Sequence, residues 1–119
     1  MWVLFFLGHP EYLNIDDVRF TICKFRTGNN KLPVNIIDNE IPRHEKFCTL
    51  CNNNVLGDEF HFLLQCTKLK EIRERFIPRP YLTNPNVLKF AELMNCQDRP
   101  TLFRLAKYIS ICLKKFDVK

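Results

Sequence analysis

Residues 48–66 read CTLCNNNVLGDEFHFLLQC and carry the pattern that decides the fold of this chain. Cys48 and Cys51 form a Cys-x-x-Cys pair, His61 follows ten residues later, and Cys66 comes five residues after that. Two thiolates at the first spacing can hold one metal ion from a tight turn, and the other two residues can complete a tetrahedron. Three thiolates and one imidazole leave no open position for water. The spacing therefore predicts one structural Zn²⁺ bound by Cys48, Cys51, His61 and Cys66.

Other interpretations of the same residues stay open. A Cys-x-x-Cys pair can also be a redox motif or two buried thiols, although the three asparagines at 52–54 make a poor helix start for a redox motif. A histidine beside Phe60 and Phe62 can be an ordinary buried residue. All four residues together, within nineteen positions, favour the metal site.

The spacing from His61 to Cys66 constrains the backbone between them. Positions five apart differ by about 140° around an α-helix, so these two residues cannot share one face of an undistorted helix. We expect the helix that Asp58 starts to end or tighten before Cys66, and Thr67 to cap the next one. Backbone amides are expected to offset the sulfur charge. Zinc with three thiolates carries a formal charge of −1, which Lys46 and Lys68, flanking the site in sequence, are expected to balance.

Helical signals lie on both sides of this segment. Asn14 is a predicted cap for a helix whose apolar face repeats at three- and four-residue steps and which Gly28 ends. Residues 32–37 are predicted to be extended, with Pro33 arguing against a central strand. Further helices are predicted from Thr67 to Pro78, from Pro85 after an Asn84 cap, and from Asp98. The last one carries an apolar stripe of Leu102, Leu105, Ala106, Ile109, Cys112, Leu113 and Phe116.

These signals predict a mainly α fold: a small helical domain with a central Cys-Cys-His-Cys zinc knuckle. The chain has 119 residues, which is enough for one domain. Residues 11–119 are assigned to this helical zinc-binding domain. Residues 1–10 are an apolar lead-in, interpreted as the remnant of a longer protein.

The charge of the chain is unevenly distributed. Residues 1–66 carry six basic and eight acidic side chains, a net of −2, whereas residues 67–119 carry twelve and five, a net of +7. A basic half predicts an anionic partner, RNA or DNA, although a solvated basic surface is the plain alternative. The predicted phosphate-contacting residues are Arg73, Arg75, Arg79, Lys107, Lys114 and Lys115. Arg73 and Arg75 flank an apolar helix side and are expected to keep their charged ends in water, and Lys107, Lys114 and Lys115 lie off the main apolar stripe of the last helix.

Several enzyme classes are excluded by the composition. Three well-separated glycines cannot build a phosphate-binding loop, and the only serine, Ser110, lacks the surroundings of a nucleophile elbow. Asp16 and Asp17 are adjacent and fit the first turn of a helix better than a catalytic metal site. The chain is therefore predicted to have no enzymatic activity of its own.

The cysteines and the amino terminus bear on the compartment. Residues 1–7 are apolar but lack a basic leader and a cleavage site, and they are far shorter than the roughly 20 residues that span a bilayer. We expect an intracellular protein, cytoplasmic or nuclear, without a membrane partner and with reduced thiols. A secreted, disulfide-linked protein is the open alternative. Cys23, Cys96 and Cys112 have no partner pattern and are assigned to the core.

Six segments of the chain carry a resemblance to a known family: KFRTGNNKLPV at 24–34, IPR at 41–43, CTLC at 48–51, GDEFHFLLQC at 57–66, YLTNP at 81–85 and LKF at 88–90. With them the chain resembles the zinc-binding domain at the C-terminal end of non-LTR retrotransposon reverse transcriptases, over about residues 12–116. The resemblance is strongest around the metal motif.

The resemblance implies zinc ligation by Cys48, Cys51, His61 and Cys66, and a role in holding element RNA or target DNA for the polymerase. Residues 35–39 depart from the family's glycine–arginine–aromatic stretch, and Thr67 stands where a proline is usual, which suggests drift in a decayed or truncated copy. The polymerase itself is absent, because no aromatic-x-Asp-Asp hairpin occurs. The polymerase part of a retroelement protein is thus an expected partner.

The sequence therefore predicts a zinc-stabilised nucleic-acid-binding module that is not catalytic by itself. The alternative is a structural or protein-interaction module whose basic face only keeps it soluble. The lack of exposed-looking aromatic residues interleaved with the basic ones favours that alternative.

Overall fold

The computed structural model describes residues 14–38 and 40–117, with side chains up to residue 116. The interpretation of residues 1–10 lies outside this part of the chain. The described residues form a mainly α fold, which confirms the predicted fold class. Its α-helices are α1 (Ile15–Arg26), α2 (Lys70–Phe76), α3 (Arg79–Leu82), α4 (Val87–Met94) and α5 (Arg99–Asp117). Between α1 and α2 lie 3-10 turns at Pro33–Asn35, Arg43–Glu45 and Thr67–Leu69, and a π-helix at His61–Gln65.

Helix α1 begins and ends as predicted. The Asn14 side chain accepts a hydrogen bond from the amide of Asp16 at 2.8 Å, which satisfies one of the free donors of the first turn. At the other end, Gly28 has a φ of +83°. The amide of Asn29 donates to Lys24 O and that of Gly28 to Phe25 O, the two bonds of a Schellman motif. The left-handed glycine turns the chain back towards the core.

The core lies between α1, the π-helix and α5. Val18, Ile22 and Phe25 of α1 are buried, and α1 packs along α5. The predicted stripe of α5 is buried at Leu102, Leu105, Ala106, Ile109 and Cys112, and partly buried at Leu113 and Phe116. Phe62 of the π-helix stands among three other aromatic rings, with centroids 5.4 Å from Phe25, 5.6 Å from Tyr108 and 5.8 Å from Phe116. Phe62, the residue that follows His61, thus anchors the π-helix in the core.

Three local predictions are wrong. Residues 33–35 form a 3-10 turn instead of extended chain, because Pro33 fixes φ and the amide of Asn35 bonds back to Leu32 O. Thr67 makes no side-chain cap, and its 3-10 turn leads into α2 directly. Helix α4 begins at Val87 with Asn86 as its cap, two residues later than expected, whereas Asn84 takes a left-handed φ of 49°.

The start of α5 follows the prediction. The carboxylate of Asp98 accepts from both the amide and the hydroxyl of Thr101, at 3.2 and 2.6 Å.

None of the helices in the described part of the chain has the length and apolar character needed to cross a membrane.

The left-handed turn at Gly28 gives a test of this fold. We expect Gly28→Ala to lower the free energy of unfolding by about 1–2 kcal/mol, because an L-residue pays that cost in the left-handed region. A Cβ there would also meet Asn35 Oδ1 at 3.2 Å. Chemical denaturation of metal-loaded protein measures the change. Gly28→Asn is the control and should lose less, since asparagine tolerates this conformation; equal stability of the Ala variant and the wild type would contradict the assignment.

Candidate metal centre

The first half of the site is a short hairpin. Phe47 and Leu56 form an antiparallel bridge, flanked by hydrogen bonds from the amide of Cys48 to Val55 O at 2.8 Å and from that of Gly57 to Lys46 O at 2.9 Å. Between them the chain reverses through Asn52 and Asn54, with φ of 55° and 54°. Asparagine is among the few residues that enter this region readily, so the asparagine run makes the turn that presents both cysteines.

The hairpin is fixed to the end of α1. The amide of Val34 donates to Gly57 O at 3.2 Å, and a Cβ on Gly57 would lie only 2.8 Å from Pro33 Cγ. Next to this contact, Asn35 Nδ2 donates to Asn30 Oδ1 and to Glu59 Oε2, both at 2.7 Å. The turn after α1 thus holds both the hairpin and the start of the following helix.

The second half of the site is the π-helix His61–Gln65. Asp58 caps its first turn, accepting from the amide of His61 at 2.9 Å. The amide of Cys66 then donates to His61 O at 2.8 Å, a bond that spans five residues. Because a π-helical turn closes on the fifth residue, His61 and Cys66 return to the same side of the axis. The helix ends at Gln65, so the prediction that it ends or tightens before Cys66 is confirmed in its first form. Its last turn is a π-helix and therefore wider than an α-helix.

These two halves bring the four predicted ligands together. One ligand atom of each of Cys48, Cys51, His61 and Cys66 lies within 4.8 Å of all the others. The Sγ atoms of Cys48 and Cys66 are 3.8 Å apart, and Cys51 Sγ lies 3.4 Å from His61 Nε2. All four side chains are buried. The cluster can hold one metal ion.

Hydrogen bonding within the cluster favours a thiolate at Cys48. The hydrogen bond with Cys66 lowers the pKa of Cys48 to about 3 against the effect of burial, with smaller contributions from His61 and from the amides of Cys51 and Leu50. The same bond with Cys48, together with burial, raises the pKa of Cys66. The backbone amide of Lys68 donates to Cys66. Amides therefore point at the sulfur atoms, as predicted for this turn.

The side chains of the two flanking lysines, Lys46 and Lys68, bond elsewhere or lie in solvent. Lys46 Nζ donates to Ile36 O at 2.7 Å, and Lys68 is exposed, reaching the cluster through its backbone only. The cation that lies next to the cluster is Arg73, whose guanidinium donates to Cys66 O at 2.8 Å.

The burial of Arg73 and Lys107 corrects the predicted phosphate-contacting set. Arg73 is 5% exposed, so the expectation that its charged end lies in water is wrong. Lys107 is 6% exposed and is thus buried although it lies off the predicted apolar stripe. The sequence contained a signal for the burial of Arg73. This residue lies four positions after Leu69 and three before Phe76, and therefore on the apolar face of α2. Lys107 lies in a stretch of α5, residues 105–109, that is buried at every position.

The other four predicted residues are exposed but lie in two groups. Arg75, Arg79, Lys114 and Lys115 all face solvent. Arg73 and Tyr108 both donate to Phe62 O, and Arg104 Nη2 donates to Arg75 O at 2.6 Å, so α2 runs antiparallel to α5. Arg75 therefore lies beside Arg104, towards the beginning of α5, with Arg79 four residues further along the chain, and the two lysines lie at the end of α5. At 1.5 Å per residue, Arg104 and Lys114 are roughly 15 Å apart along the helix.

The cysteines outside the cluster differ from one another. Cys112 is fully buried in α5, as predicted, and burial raises its pKa to about 11. Cys96 is half-buried, and its Sγ accepts from the amide of Asp98 at 3.4 Å. Cys23 is exposed on α1, so its assignment to the core is wrong.

The sequence matches no protein-family model, and it has no significant match among curated proteins or solved structures.

The cluster predicts the outcome of replacing single ligands. Alanine at Cys48, Cys51, His61 or Cys66 should abolish tight binding of one metal ion per chain, because each removes one of four ligands. Metal content of protein purified under reducing conditions, together with a cobalt titration followed by absorbance, measures this. Cys23→Ala is the matched control, being an exposed cysteine outside the cluster. A ligand variant that keeps one tightly bound ion would contradict the assignment.

Proposed function

We propose that this chain is a zinc-stabilised nucleic-acid-binding module, as the resemblance to retrotransposon reverse transcriptase tails implies, without catalytic activity of its own. The observation that carries the proposal is the buried Cys-Cys-His-Cys cluster of the hairpin and the π-helix. Reduced thiols at this site fit the expected intracellular location.

Two of the separations within the cluster match the edges of a zinc tetrahedron. A Zn–S bond of about 2.3 Å and a Zn–N bond of about 2.0–2.1 Å give tetrahedral edges of about 3.8 Å between sulfur atoms and about 3.6 Å between sulfur and nitrogen. The corresponding separations are 3.8 Å for Cys48 and Cys66 and 3.4 Å for Cys51 and His61. Three thiolates and an imidazole fill the shell, so the ion would have a structural role.

The surface offers features that a nucleic acid can use. Phe20 of α1 is 65% exposed, and the Lys24 ammonium lies 5.6 Å from its ring centroid. Both residues line a cavity of about 380 Å³ that Ser110 and Leu113 of α5 also line, next in sequence to Lys114. An exposed ring beside cations is what proteins use to stack bases and contact phosphates, and the sequence alone gave no sign of it.

The basic groups at the two ends of α5 fit an extended ligand. Their separation of roughly 15 Å corresponds to four or five base pairs at about 3.4 Å per pair. A nucleic-acid backbone can therefore contact both groups along the same molecule.

A protein-interaction module is the second candidate, and one surface favours it. Ile36 and Ile41 are exposed and line a cavity of about 560 Å³ beside the hairpin, together with Phe47. Ile37, between them in sequence, is 91% exposed. Apolar side chains gathered in this way are typical of protein contacts.

Salt dependence separates the two candidates. For wild-type, zinc-loaded protein, we expect the logarithm of affinity to fall with the logarithm of salt concentration by about 0.9 per phosphate contact on duplex DNA and about 0.7 on a single strand. Arg75→Ala with Arg79→Ala, and separately Lys114→Ala with Lys115→Ala, should each reduce the slope by up to about two contacts. Fluorescence anisotropy with RNA and DNA oligonucleotides at several salt concentrations measures it.

The matched control is Arg19→Ala with Arg43→Ala, which removes two exposed charges outside α2 and α5. This pair should leave the slope near the wild-type value. Affinity that does not change with salt, or equal slopes in all variants, would reject the nucleic-acid surface and favour the protein-interaction candidate.

Removal of the metal should loosen the hairpin first. Phe47 and Val55 are exposed, so packing holds residues 47–57 weakly, and ligation supplies folding free energy there. With a chelator, hydrogen exchange at the amides of Cys48 and Gly57 should accelerate. The amides of Leu105 and Ile109 in α5 are the internal reference and should stay protected. Unchanged protection throughout residues 47–66 would show that the hairpin folds without metal.

A further inference from the structure

Arg73 makes an unusual set of contacts for a charged residue. Its side chain is buried, and its guanidinium donates to three backbone carbonyls of the ligand-bearing segment. Nε donates to Leu63 O at 2.9 Å, while Nη2 donates to Cys66 O at 2.8 Å and to Phe62 O at 3.4 Å. A side chain of α2 thus binds three backbone carbonyls in the segment that runs from His61 to Cys66.

These carbonyls need a donor from outside the helix. The π-helix ends at Gln65, and Cys66 leaves it with φ −59° and ψ 122°, so the carbonyls of Phe62 and Leu63 in its last turn have no helical amide to accept from. The carbonyl of Cys66 also accepts from the amide of Leu69 in the following 3-10 turn, at 3.2 Å. Tyr108 OH also donates to Phe62 O, at 2.7 Å. The rigid fork of an arginine can serve several acceptors at once, which an ammonium cannot do in the same geometry.

The charge of Arg73 also requires compensation. No carboxylate among the described residues forms an ion pair with it, although a buried cation is costly unless it is paired. The carbonyls provide partial negative charge only. Zinc bound by three thiolates and an imidazole has a formal charge of −1, and one of those thiolates belongs to Cys66, whose carbonyl Arg73 binds.

We propose that Arg73 is a positioning residue of the metal centre: it holds the π-helical turn that brings His61 and Cys66 together, and it balances the negative charge of the zinc–thiolate group. The inference rests on the proposed zinc site and assigns to Arg73 an internal role in place of a contact with phosphate. Outer-sphere groups of this kind change metal affinity although they do not touch the ion.

The test measures zinc affinity by competition with a chromophoric chelator, and ligand geometry by the absorption spectrum of the cobalt-loaded protein. Arg73→Met should weaken zinc binding by about 10–100-fold, the usual effect of losing an outer-sphere partner. Arg73→Lys keeps the charge but not the fork, so its affinity should lie between that of Arg73→Met and that of the wild type. The cobalt spectrum should change in both variants.

Arg104→Met is the matched control. Arg104 also donates to a backbone carbonyl across the α2–α5 contact, that of Arg75, and among the described residues it forms no hydrogen bond with the ligand segment. The Arg104→Met variant should change thermal stability without changing zinc affinity or the cobalt spectrum. A purely structural role for Arg73 would make Arg73→Met behave in the same way, and that result would overturn the proposal.

The remaining outcomes are also decisive. If Arg73→Met does not fold, Arg73→Lys decides: weaker zinc binding supports the proposal, and wild-type affinity with an unchanged cobalt spectrum overturns it. If the wild-type chain binds neither zinc nor cobalt, the metal centre itself is rejected and the role of Arg73 falls with it. Wild-type binding with equal affinity in the Arg73 variants rejects the role of Arg73 alone.

Discussion

The hydrogen bond from the amide of Cys66 to His61 O is the constraint on which the site depends. It closes a turn over five residues, and this turn places His61 and Cys66 on the same side of the helix axis. A π-helical turn is a rare and poorly packed form of backbone, and it occurs mostly at functional sites. Here the capping by Asp58, the fork of Arg73 and the hydroxyl of Tyr108 each satisfy backbone groups that this turn leaves free.

The same five residues supply the metal cluster and the core. His61 faces the cysteines, while Phe62 and Leu63 are almost completely buried among the rings and apolar side chains of α1 and α5. Packing therefore fixes the position of His61 and Cys66 even before a metal binds. The hairpin with Cys48 and Cys51 has no comparable anchor, since Gly57, Val34 and the asparagine turn hold it mainly through backbone contacts. Folding free energy from metal ligation would accordingly be concentrated in the hairpin.

Local rules predicted both ends of α1, the start of α5 and the four residues of the cluster, whereas long-range contacts decided the rest. Asn14 and Gly28 act through neighbours in sequence, so capping preferences placed both ends of α1 correctly. The widening of the helix into a π-helix before Cys66 could not be predicted. Ideal helix geometry says only that the helix must break or distort there, and the hydrogen-bond donors that surround it select one of the two. Arg73 was wrongly assigned to the surface because its charge was given more weight than its position on the apolar face of α2. Cys23 was wrongly assigned to the core. It lies next to the apolar stripe of α1, and whether such a position is buried or exposed depends on helix packing that the sequence does not show.

The buried cations change how the charge of the chain should be interpreted. The net charge of +7 over residues 67–119 includes Arg73 and Lys107, which solvent hardly reaches. Without them the same residues carry +5, and among the exposed cations Arg75 lies beside Arg104 of α5, whereas Lys114 and Lys115 lie at the end of that helix. A nucleic acid would therefore have to follow α5 to contact both groups, whereas a small anion could not. The exposed ring of Phe20, beside the groove next to Lys114, gives such a ligand an additional contact at one end. Net charge suggests an anionic partner, but the distribution of the exposed charges is what favours an extended one.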